Sequence, residues 1–392
     1  MFDQLLCRRD LQNDTFTRRF RIALPWLVLS IILLLQAITP AVAISQTPPG
    51  PSNLTITGST YVSPPPTGNT YYVATNGSNS YSCAQAKNTS TPKRNITGAS
   101  GGISCLAAGN TLIIKAGTYS EAYFNLGSSQ PNIPGGTGPS NITVIKGEGI
   151  GVTIWKPAVG YGIMMKNPNN YIRWQGFTLD CINMTIATET CFKEFRQDTG
   201  YTVGWHITDL AIVDAPDNAM LFSNSSRNWI IERTEIKNPG RVARLTSELY
   251  NWIYGQGSGH IIRDNYLYHT ADRAPGAGAG GLRVASNAAG DSGPGNSIIE
   301  RNLIKNVRLG VIIGANDNNI VRNNTIIDTT LNGIQVWMPT SGTKISNNTI
   351  EAKCSTGIYV GSLAVNTSLT ANTISGCAVN VKDTGVGTTQ SQ

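Results

Sequence analysis

The sequence predicts an all-β fold of stacked rungs, a parallel β-helix, and three observations carry this prediction. A short phrase recurs as SIIERNLI, IVRNNTII, KISNNTIE and SLTANTIS, and its asparagines, Asn302, Asn324, Asn348 and Asn372, are spaced by 22, 24 and 24 residues. A second small strand follows each phrase, with no room for a helix between them. Only 14% of the residues are charged and 41 are glycine, which favours strands and tight turns. Because one rung cannot bury its apolar side alone, neighbouring rungs must stack.

The N-terminal residues 1–43 have the pattern of an export signal. The basic segment Arg18–Arg21 precedes an apolar run, Ile22–Ala43, which ends in a small-x-small cleavage pattern. An uncleaved membrane anchor is the alternative, because an apolar run of about 20 residues can span a bilayer. In either case we expect the remainder to be secreted or extracytoplasmic, at the cell surface.

The rest of the chain is predicted to form one elongated domain. Residues 44–70 are rich in Pro, Ser and Thr and are expected to be a linker. Residues 71–384 are assigned to the β-helix and residues 385–392 to a tail. The first rung is predicted to carry a small N-terminal cap, because a β-helix must cover the open end of its core.

The cysteines support an exported protein. Cys7 lies in the signal segment and six cysteines remain, an even number that suggests disulfides. Six cysteines allow fifteen pairings, and local spacing favours one set. The predicted pairs are Cys83–Cys105, Cys181–Cys191 and Cys354–Cys377.

Three stretches give the chain a family resemblance. The opening YYVATNGSNS, the phrase LAAGNTLIIKAGTYSE and the later N-x-I rungs resemble the extracytoplasmic proteins of the pectate-lyase-like superfamily. The resemblance implies a single-stranded, right-handed parallel β-helix over about residues 71–384. That superfamily includes lyases, hydrolases, epimerases and adhesins, so the resemblance predicts the fold and leaves the activity open.

The recurring asparagine is predicted to form a structural ladder. Matching apolar pairs five residues apart extends the rungs backwards, where Asn265, Thr234, Leu210 and Phe177 fill the same place. Side-chain amides stacked in this way can bond to the rungs above and below. The predicted ladder consists of Asn265, Asn302, Asn324, Asn348 and Asn372.

A row of alternating charge precedes the ladder. It reads Glu232, Arg263, Glu300 and Arg322, continuing to Ser346 and Thr370. Opposite charges on neighbouring strands attract one another, and isolated surface pairs contribute under about 1 kcal/mol each. The row is interpreted as a solvated structural face.

Two further rows lead into loops inserted between residues 180 and 300. Four places after the ladder come Asp214, Asn238, His269, Asn306 and Asp328, interpreted chiefly as turn residues. One place earlier come Lys237, Tyr268 and Lys305. The following strand turns a row outward, predicted as Tyr254, Arg283, Ile312, Gln335, Tyr359 and Asn380.

These rows predict a basic, aromatic-edged groove. Guanidinium groups bind carboxylates at two points and aromatic rings stack on sugar faces, so such a groove suits an acidic polysaccharide. The residues expected to bind substrate are Arg241, Arg244, Arg273, Tyr268 and Lys305.

The resemblance implies β-elimination on uronate chains as the concrete reaction. Arg283 or Lys237 would act as base or neutralise the carboxylate, and His269 with Tyr254 would handle protons. No cofactor is required by the sequence; Ca²⁺ is the alternative, with Asp214, Asp217 and Asp272 as weak oxygen ligands. The hydrolase branch is disfavoured, because its Asp-Asp and Gly-His-Gly phrases are missing.

Two functions from different classes therefore stay open. One is a lyase or epimerase acting on uronate polysaccharide, and the other is a non-catalytic surface or matrix protein that binds glycans. Without the five arginines and three aspartates of residues 1–43 the formal charge falls from +7 to +5, so nucleic acid is not an expected partner. We expect a monomer, in contact with a membrane only if the signal segment is retained.

Overall fold

The computed structural model describes residues 67–125, 130–157, 162–165, 169–186, 188–195, 200–243, 250–273, 275–276, 278–285 and 295–391. The predicted signal segment and the linker as far as residue 66 lie outside the described residues. The chain divides into a unit Met1–Pro48, which lies wholly outside them, and a unit Pro49–Gln392, to which all that follows refers. Within the described residues, no helix has the length and apolarity needed to cross a membrane.

The described residues form 34 strands, numbered in chain order, and nearly all of them pair in parallel with the next rung. Face 1 is a twelve-stranded sheet made of β1 (Thr70–Val73), β2 (Thr111–Ile114), β5 (Thr143–Gly147), β8 (Ile172–Gln175), β12 (His206–Thr208), β16 (Ile230–Glu232), β19 (Ile261–Arg263), β22 (Ile298–Glu300), β24 (Ile320–Arg322), β27 (Lys344–Ser346), β31 (Ser368–Thr370) and β34 (Thr389–Ser391).

Eighteen strands form a second sheet, which consists of two ladders joined through β23 (Leu303–Gly314) and β25 (Thr325–Val336). Face 2 contains the first parts of these two strands together with β3 (Gly117–Tyr119), β6 (Thr153–Trp155), β9 (Thr178–Asp180), β13 (Ala211–Val213), β17 (Glu235–Lys237), β20 (Tyr266–Tyr268), β28 (Thr349–Glu351) and β32 (Thr373–Ser375).

Face 3 contains the second parts of β23 and β25 together with β4 (Tyr123–Asn125), β7 (Ile163–Met165), β10 (Phe192–Glu194), β14 (Met220–Phe222), β18 (Tyr250–Gly255), β21 (Ala279–Ala285), β29 (Thr356–Val360) and β33 (Val379–Asp383). Two short ladders flank these faces, β11 (Thr202–Val203) with β15 (Ser226–Arg227) and β26 (Thr340–Ser341) with β30 (Ala364–Val365).

The N-terminal cap consists of two short 3₁₀ helices, η1 (Gln85–Lys87) and η2 (Gly102–Cys105), which contact β1. Ile96 and Ile103 are buried there and join the core of the first rungs. At the other end β34 pairs with β31, so the β-helix extends into the predicted tail 385–392. The boundary predicted at residue 384 was early because the last strand lacks the N-x-I phrase.

Each rung turns at three corners, and the corner residues adopt left-handed backbone conformations. The corner between faces 1 and 2 uses residues such as Asp264, Arg301 and Asn323, with φ of 57°, 53° and 55°. The corner after face 2 uses Asp214, Asn238, Asn306 and Asp328, with φ between 53° and 56°. Asn and Asp tolerate this conformation better than most residues, which supports their interpretation as turn residues.

The core changes in character along the β-helix. In the N-terminal half it is aromatic, with Trp205 and Trp229 stacked at 4.5 Å between ring centroids and Phe222 stacked on Trp229 at 4.8 Å. In the C-terminal half it is aliphatic, with Ile299 and Ile345 fully buried at equivalent places.

A column of glycines begins the strands of face 3. A Cβ on Gly281 would lie 2.1 Å from the carbonyl oxygen of Gly310, and one on Gly310 would lie 2.3 Å from that of Gly333. Gly333 and Gly357 continue the column, where an added Cβ would lie 2.7 Å from the carbonyl oxygen of Gly357 and 2.6 Å from that of Asn380, respectively. Glycine is required there because the rungs approach each other too closely for any side chain.

The asparagine ladder forms as predicted. Nδ2 of each asparagine donates to Oδ1 of the asparagine in the next rung, over 2.9 Å from Asn265 to Asn302, 2.9 Å from Asn302 to Asn324 and 3.0 Å from Asn324 to Asn348. The last bond, from Asn348 to Asn372, is 2.9 Å. Each Oδ1 also accepts the backbone N–H of the preceding asparagine, so the ladder satisfies buried corner backbone.

The three predicted disulfides are those present in the structure. Cys83–Cys105 closes the cap, Cys181–Cys191 closes a corner loop, and Cys354–Cys377 links two adjacent rungs with 4.4 Å between Cα atoms.

Replacing one asparagine of the ladder tests its contribution to stability. Asn324→Ala removes the acceptor of two Asn302 donors and leaves them buried, so we expect it to lower the free energy of unfolding by about 1–3 kcal/mol. The control is Asn323→Gly, which removes an exposed side chain and preserves the left-handed corner. Urea unfolding measures both; equal stabilities for the two variants would contradict a structural role for the ladder.

Candidate functional site

The outward side chains of face 3 form one column along the β-helix axis. Strand register places Lys193 beside Leu221, Leu221 beside Tyr254, and Tyr254 beside Arg283. The column continues through Ile312, Gln335, Tyr359 and Lys382. The predicted row is therefore right as far as Tyr359. It is wrong at Asn380, because the pairing of β29 with β33 places Lys382 beside Tyr359.

The cations of this column lie over aromatic rings. The guanidinium carbon of Arg283 is 4.5 Å from the centroid of the Tyr254 ring, and Nζ of Lys382 is 5.6 Å from that of Tyr359. Nζ of Lys193 is 4.4 Å from the centroid of Phe195, which follows β10. A ring face attracts a cation without neutralising its charge. None of the three cations is therefore neutralised by the ring beside it.

No ion pair joins these three cations to a carboxylate of the described residues. In addition, Nε of Arg283 is buried and has no hydrogen-bond partner. Burial lowers the pKa of the Lys193 ammonium, and the charge of Asp217 partly opposes this effect. We call Lys193, Tyr254, Arg283, Tyr359 and Lys382 the face 3 strip.

The structure divides the predicted groove between two faces. Lys237, Tyr268 and Lys305 lie side by side as predicted, but their strands belong to face 2. Tyr254 and Arg283 lie on face 3, beyond the corner loops. The sequence pattern predicts the position of a residue along the β-helix axis. It does not predict the face on which the residue lies, because inserted loops change the number of residues between faces.

The corner loops between faces 2 and 3 hold the remaining predicted binding residues. Nη1 of Arg273 donates to Oδ1 of Asp214 over 2.9 Å, an ion pair across two rungs. Nε of Arg241 donates to the carbonyl oxygen of Asp214, and a second bond joins its Nη2 to the carbonyl oxygen of Met184. Burial lowers the pKa of the Arg241 guanidinium. Both arginines therefore tie loops together, and Arg244 lies outside the described residues.

His269 is not placed for the predicted role in proton transfer. Its side chain is 2% exposed and packs edge-on against Trp252, with 4.7 Å between ring centroids. Its Nε2 is 3.3 Å from the hydroxyl of Tyr250, and its Nδ1 is 3.4 Å from Oδ1 of Asn238. His269 therefore supports the base of its loop, behind the surface that a polymer could reach.

The predicted calcium ligands do not converge. Among the described residues no group of three or more His, Cys, Asp or Glu side chains could hold a metal ion. Asp214 is paired with Arg273, Asp217 accepts a bond from Nδ2 of Asn218 at 2.6 Å, and Asp272 is exposed. Insertions of unequal length separate these three carboxylates.

The other two histidines, His206 and His260, are held by contacts within the fold. His260 is fully buried, its Nε2 lies 2.8 Å from the carbonyl oxygen of Gln256, and burial lowers its pKa to about 4. Nε2 of His206 lies 3.1 Å from Oε1 of Glu232.

Face 1 carries the predicted row of alternating charge, but Glu232, Arg263 and Glu300 are buried rather than solvated, while Arg322 is partly exposed. Nε of Arg263 donates to Oε2 of Glu232 over 2.7 Å, and Nη1 of Arg233 donates to its Oε1 over 2.6 Å. Glu232 is 1% exposed and Glu300 is 5% exposed. Arg233 and Arg301 fold back from the corner and cover the row, which the sequence row alone did not reveal.

This network controls the ionisation of Glu232. Burial opposes its charged form, but the hydrogen bond from His206 and the charge of Arg233 prevail and lower its pKa to about 2. Face 1 thus neutralises its own charges internally, whereas the face 3 strip does not.

Comparisons with known proteins agree with this architecture. Residues 200–391 match the family model described as the right handed beta helix region. The A-module of mannuronan C-5 epimerase AlgE4 from Azotobacter vinelandii is similar in structure, with a TM-score of 0.51, 14% identity, and coverage of 72% of this chain and 86% of that one.

Two further solved structures align with lower scores. Alginate lyase from Paenibacillus sp. str. FPU-7 has a TM-score of 0.41 and 15% identity over 71% of this chain and 92% of its own. Pectate lyase Pel9A has a TM-score of 0.40 and 10% identity over 82% of this chain and 78% of its own. No curated protein sequence matches the chain. The chain therefore has the fold of a right-handed parallel β-helix.

Sequence reasoning missed two members of the face 3 strip, Lys193 and Lys382, and one ring on face 2, Tyr266. The predicted row did not include Lys193, because the rung at residues 178–194 lacks the asparagine phrase. It placed Asn380, two residues too early, at the position that Lys382 occupies. Tyr266 stacks on Tyr268 with 4.2 Å between ring centroids. The one sequence signal for this contact is that the two tyrosines are two residues apart on one strand and therefore point to the same side of the sheet.

The lowered pKa of Glu232 predicts how stability depends on pH. A carboxyl whose folded pKa of about 2 lies below its usual 4.5 contributes fully above pH 4.5, and this contribution is lost as the pH falls towards 2. We expect Glu232→Gln to lower the free energy of unfolding by about 3 kcal/mol at pH 7, because it leaves buried arginine charge unpaired.

The difference between wild type and Glu232→Gln should shrink as the pH approaches 2, and urea unfolding at several pH values measures it. Glu351→Gln, at an exposed position, is the control. A difference that stays constant between pH 7 and pH 2 would disprove the assignment of the low pKa to Glu232.

Proposed function

We propose that the protein is an exported β-helix protein that binds acidic polysaccharide along the face 3 strip. The observation that carries this proposal is that Lys193, Arg283 and Lys382 are each supported by an aromatic ring and have no carboxylate partner among the described residues. Cations held in this way keep their charge for carboxylates of a ligand.

The geometry suits a chain of uronate sugars. Lys193 and Lys382 are seven rungs apart, which corresponds to about 34 Å at the usual strand separation. The half-buried ring of Tyr359 offers part of its surface to a sugar, and the half-buried guanidinium of Arg283, which lies over the buried Tyr254 ring, offers a two-point contact to a carboxylate. Several consecutive sugars could therefore contact the strip at once.

The ligand class has support from the structural neighbours. The epimerase with a TM-score of 0.51 is named for mannuronan, and the other two neighbours are named for alginate and pectate. At these identities the likeness concerns the fold, so for this chain the choice of an acidic polysaccharide depends on the charges of the strip. The three disulfides support an extracytoplasmic location, where they persist.

A second candidate function is chemistry on the bound uronate, and the contact between Tyr254 and Arg283 favours it. In β-elimination, Arg283 would hold the sugar carboxylate while the hydroxyl oxygen of Tyr254, once it has given its own proton to solvent, takes the proton from C5. The electron pair of that bond would form the C4=C5 double bond as the C4–O bond breaks, and the leaving oxygen would take a proton from solvent. In epimerisation, a proton would return to C5 from the opposite side.

Binding is tested by removing the central cation of the strip. We expect Arg283→Ala to weaken binding to polyuronates such as alginate and pectate by about tenfold or more, because a charge-assisted two-point contact is lost. Isothermal titration calorimetry with wild type and variant measures the effect.

Arg322→Ala is the matched control, because it removes the same charge from face 1, where Arg322 is paired with Glu300. Its binding should remain close to wild type once unfolding measurements show that both variants are folded. Equal affinities of the two variants would overturn binding at the face 3 strip.

Tyr254→Phe tests the catalytic candidate separately. Phenylalanine preserves the ring beneath Arg283 but cannot accept or donate a proton, so binding should be unchanged while turnover falls by about 10²–10⁴-fold. Ultraviolet absorbance of unsaturated products detects elimination, and uptake of solvent deuterium at C5 detects epimerisation. Absence of both signals from the wild type on a panel of polyuronates would leave the protein as a glycan-binding module.

A further inference from the structure

Face 2 carries a second set of cations and rings, separate from the face 3 strip. Lys237, Tyr268 and Lys305 are direct neighbours on three consecutive rungs. Tyr266 lies two places before Tyr268 on β20, and the two rings are stacked with an interplanar angle of 13°. All four side chains are half-buried, so they form a surface with part of each group open to solvent.

The two rings are fixed in place. The hydroxyl of Tyr268 donates to Oε1 of Glu235 on the neighbouring strand over 2.7 Å. Burial and the nearby Glu235 carboxylate raise the pKa of both Tyr266 and Tyr268, so the phenols stay neutral over the physiological range. The stack is therefore a preorganised, uncharged aromatic surface, which reduces the entropy cost of binding.

The lysines on either side of Tyr268 have no carboxylate partner. Neither Lys237 nor Lys305 forms an ion pair with a described residue. Asp272 senses the charge of Lys237 but lies exposed at the loop and makes no ion pair with it. On face 1, by contrast, the equivalent positions alternate acid and base, and the arginines are paired. The column Lys237, Tyr268 and Lys305 has a ring where the face 1 row has a carboxylate, and the nearby carboxylate of Glu235 accepts a hydrogen bond from Tyr268.

We propose that Lys237, Tyr266, Tyr268 and Lys305 form a second binding site for acidic polysaccharide, on face 2. The lysines lie two rungs apart, about 10 Å, so that they can contact two carboxylates while the tyrosine stack packs against the sugar between them. The ligand class rests on the proposed function, but the site itself is independent of the face 3 strip. With both sites a single chain binds a polymer at two faces, and a long polymer gains affinity through the second contact.

Binding stoichiometry tests this site. A short oligouronate titrated into the full chain, followed by calorimetry, should occupy two sites per chain in the wild type. The variant Lys237→Ala/Lys305→Ala should retain only the face 3 site, and Arg283→Ala should retain only the face 2 site. With long alginate, the double lysine variant should bind about tenfold or more weakly than wild type.

The matched control is Lys344→Ala/Lys353→Ala, which removes the same charge from exposed positions elsewhere. Tyr268→Phe is a second variant that preserves the ring but breaks the bond to Glu235, so it should weaken binding less than the lysine variant. If the double lysine variant matches its control in stoichiometry and affinity while Arg283→Ala weakens binding, the face 2 site is disproved and the proposed function stands. If Arg283→Ala has no effect but the double lysine variant weakens binding, binding at the face 3 strip is disproved and the face 2 site stands.

Discussion

Parallel pairing between successive rungs is the constraint on which every other feature of the structure depends. Because Asn302, Asn324 and Asn348 are held in register by both backbone and amide bonds, residues about two dozen places apart become direct neighbours. One residue at the same place in each rung therefore produces a column of side chains that runs along the β-helix axis, with about 4.8 Å between neighbours. The glycines that begin the face 3 strands serve the same purpose, since their missing side chains let the rungs close to hydrogen-bonding distance.

The three faces differ in how the charges of neighbouring rungs are arranged. Face 1 alternates Glu232, Arg263 and Glu300 so that each charge is neutralised by the rung above or below, and corner arginines cover the row. That arrangement stabilises the β-helix but offers little to a ligand. Faces 2 and 3 place cations next to rings instead, which costs the stabilisation of an ion pair and preserves the charge for carboxylates from outside.

Features that follow from the regular repeat could be predicted from the sequence, whereas features that depend on the path of the inserted loops could not. The asparagine ladder and the disulfide between Cys354 and Cys377 follow from regular spacing, and both are present. His269 follows an equally regular position, yet it turns inward against Trp252, because the corner residue after it begins a long loop whose path no period describes. For the same reason the groove predicted from Lys237 and Arg283 is divided between two faces.

The repeat shows which residues are neighbours along a column, but it does not show whether that column is exposed to solvent. A pattern of alternating charge can therefore be misinterpreted in this fold. A row such as Glu232 to Arg322 has the same alternation whether it faces water or lies under the side chains of the corner. The residue that decides is the left-handed one beside the ladder: where it is Arg233 or Arg301, its long side chain returns over face 1 and buries the row. Where it is Asn347 or Ala371, the neighbouring row residue is Ser346 or Thr370, which carries no charge and needs no cover. The corner residue and the row it covers therefore form one electrostatic unit, and a charge on such a face must be interpreted together with its corner before it is assigned to a ligand.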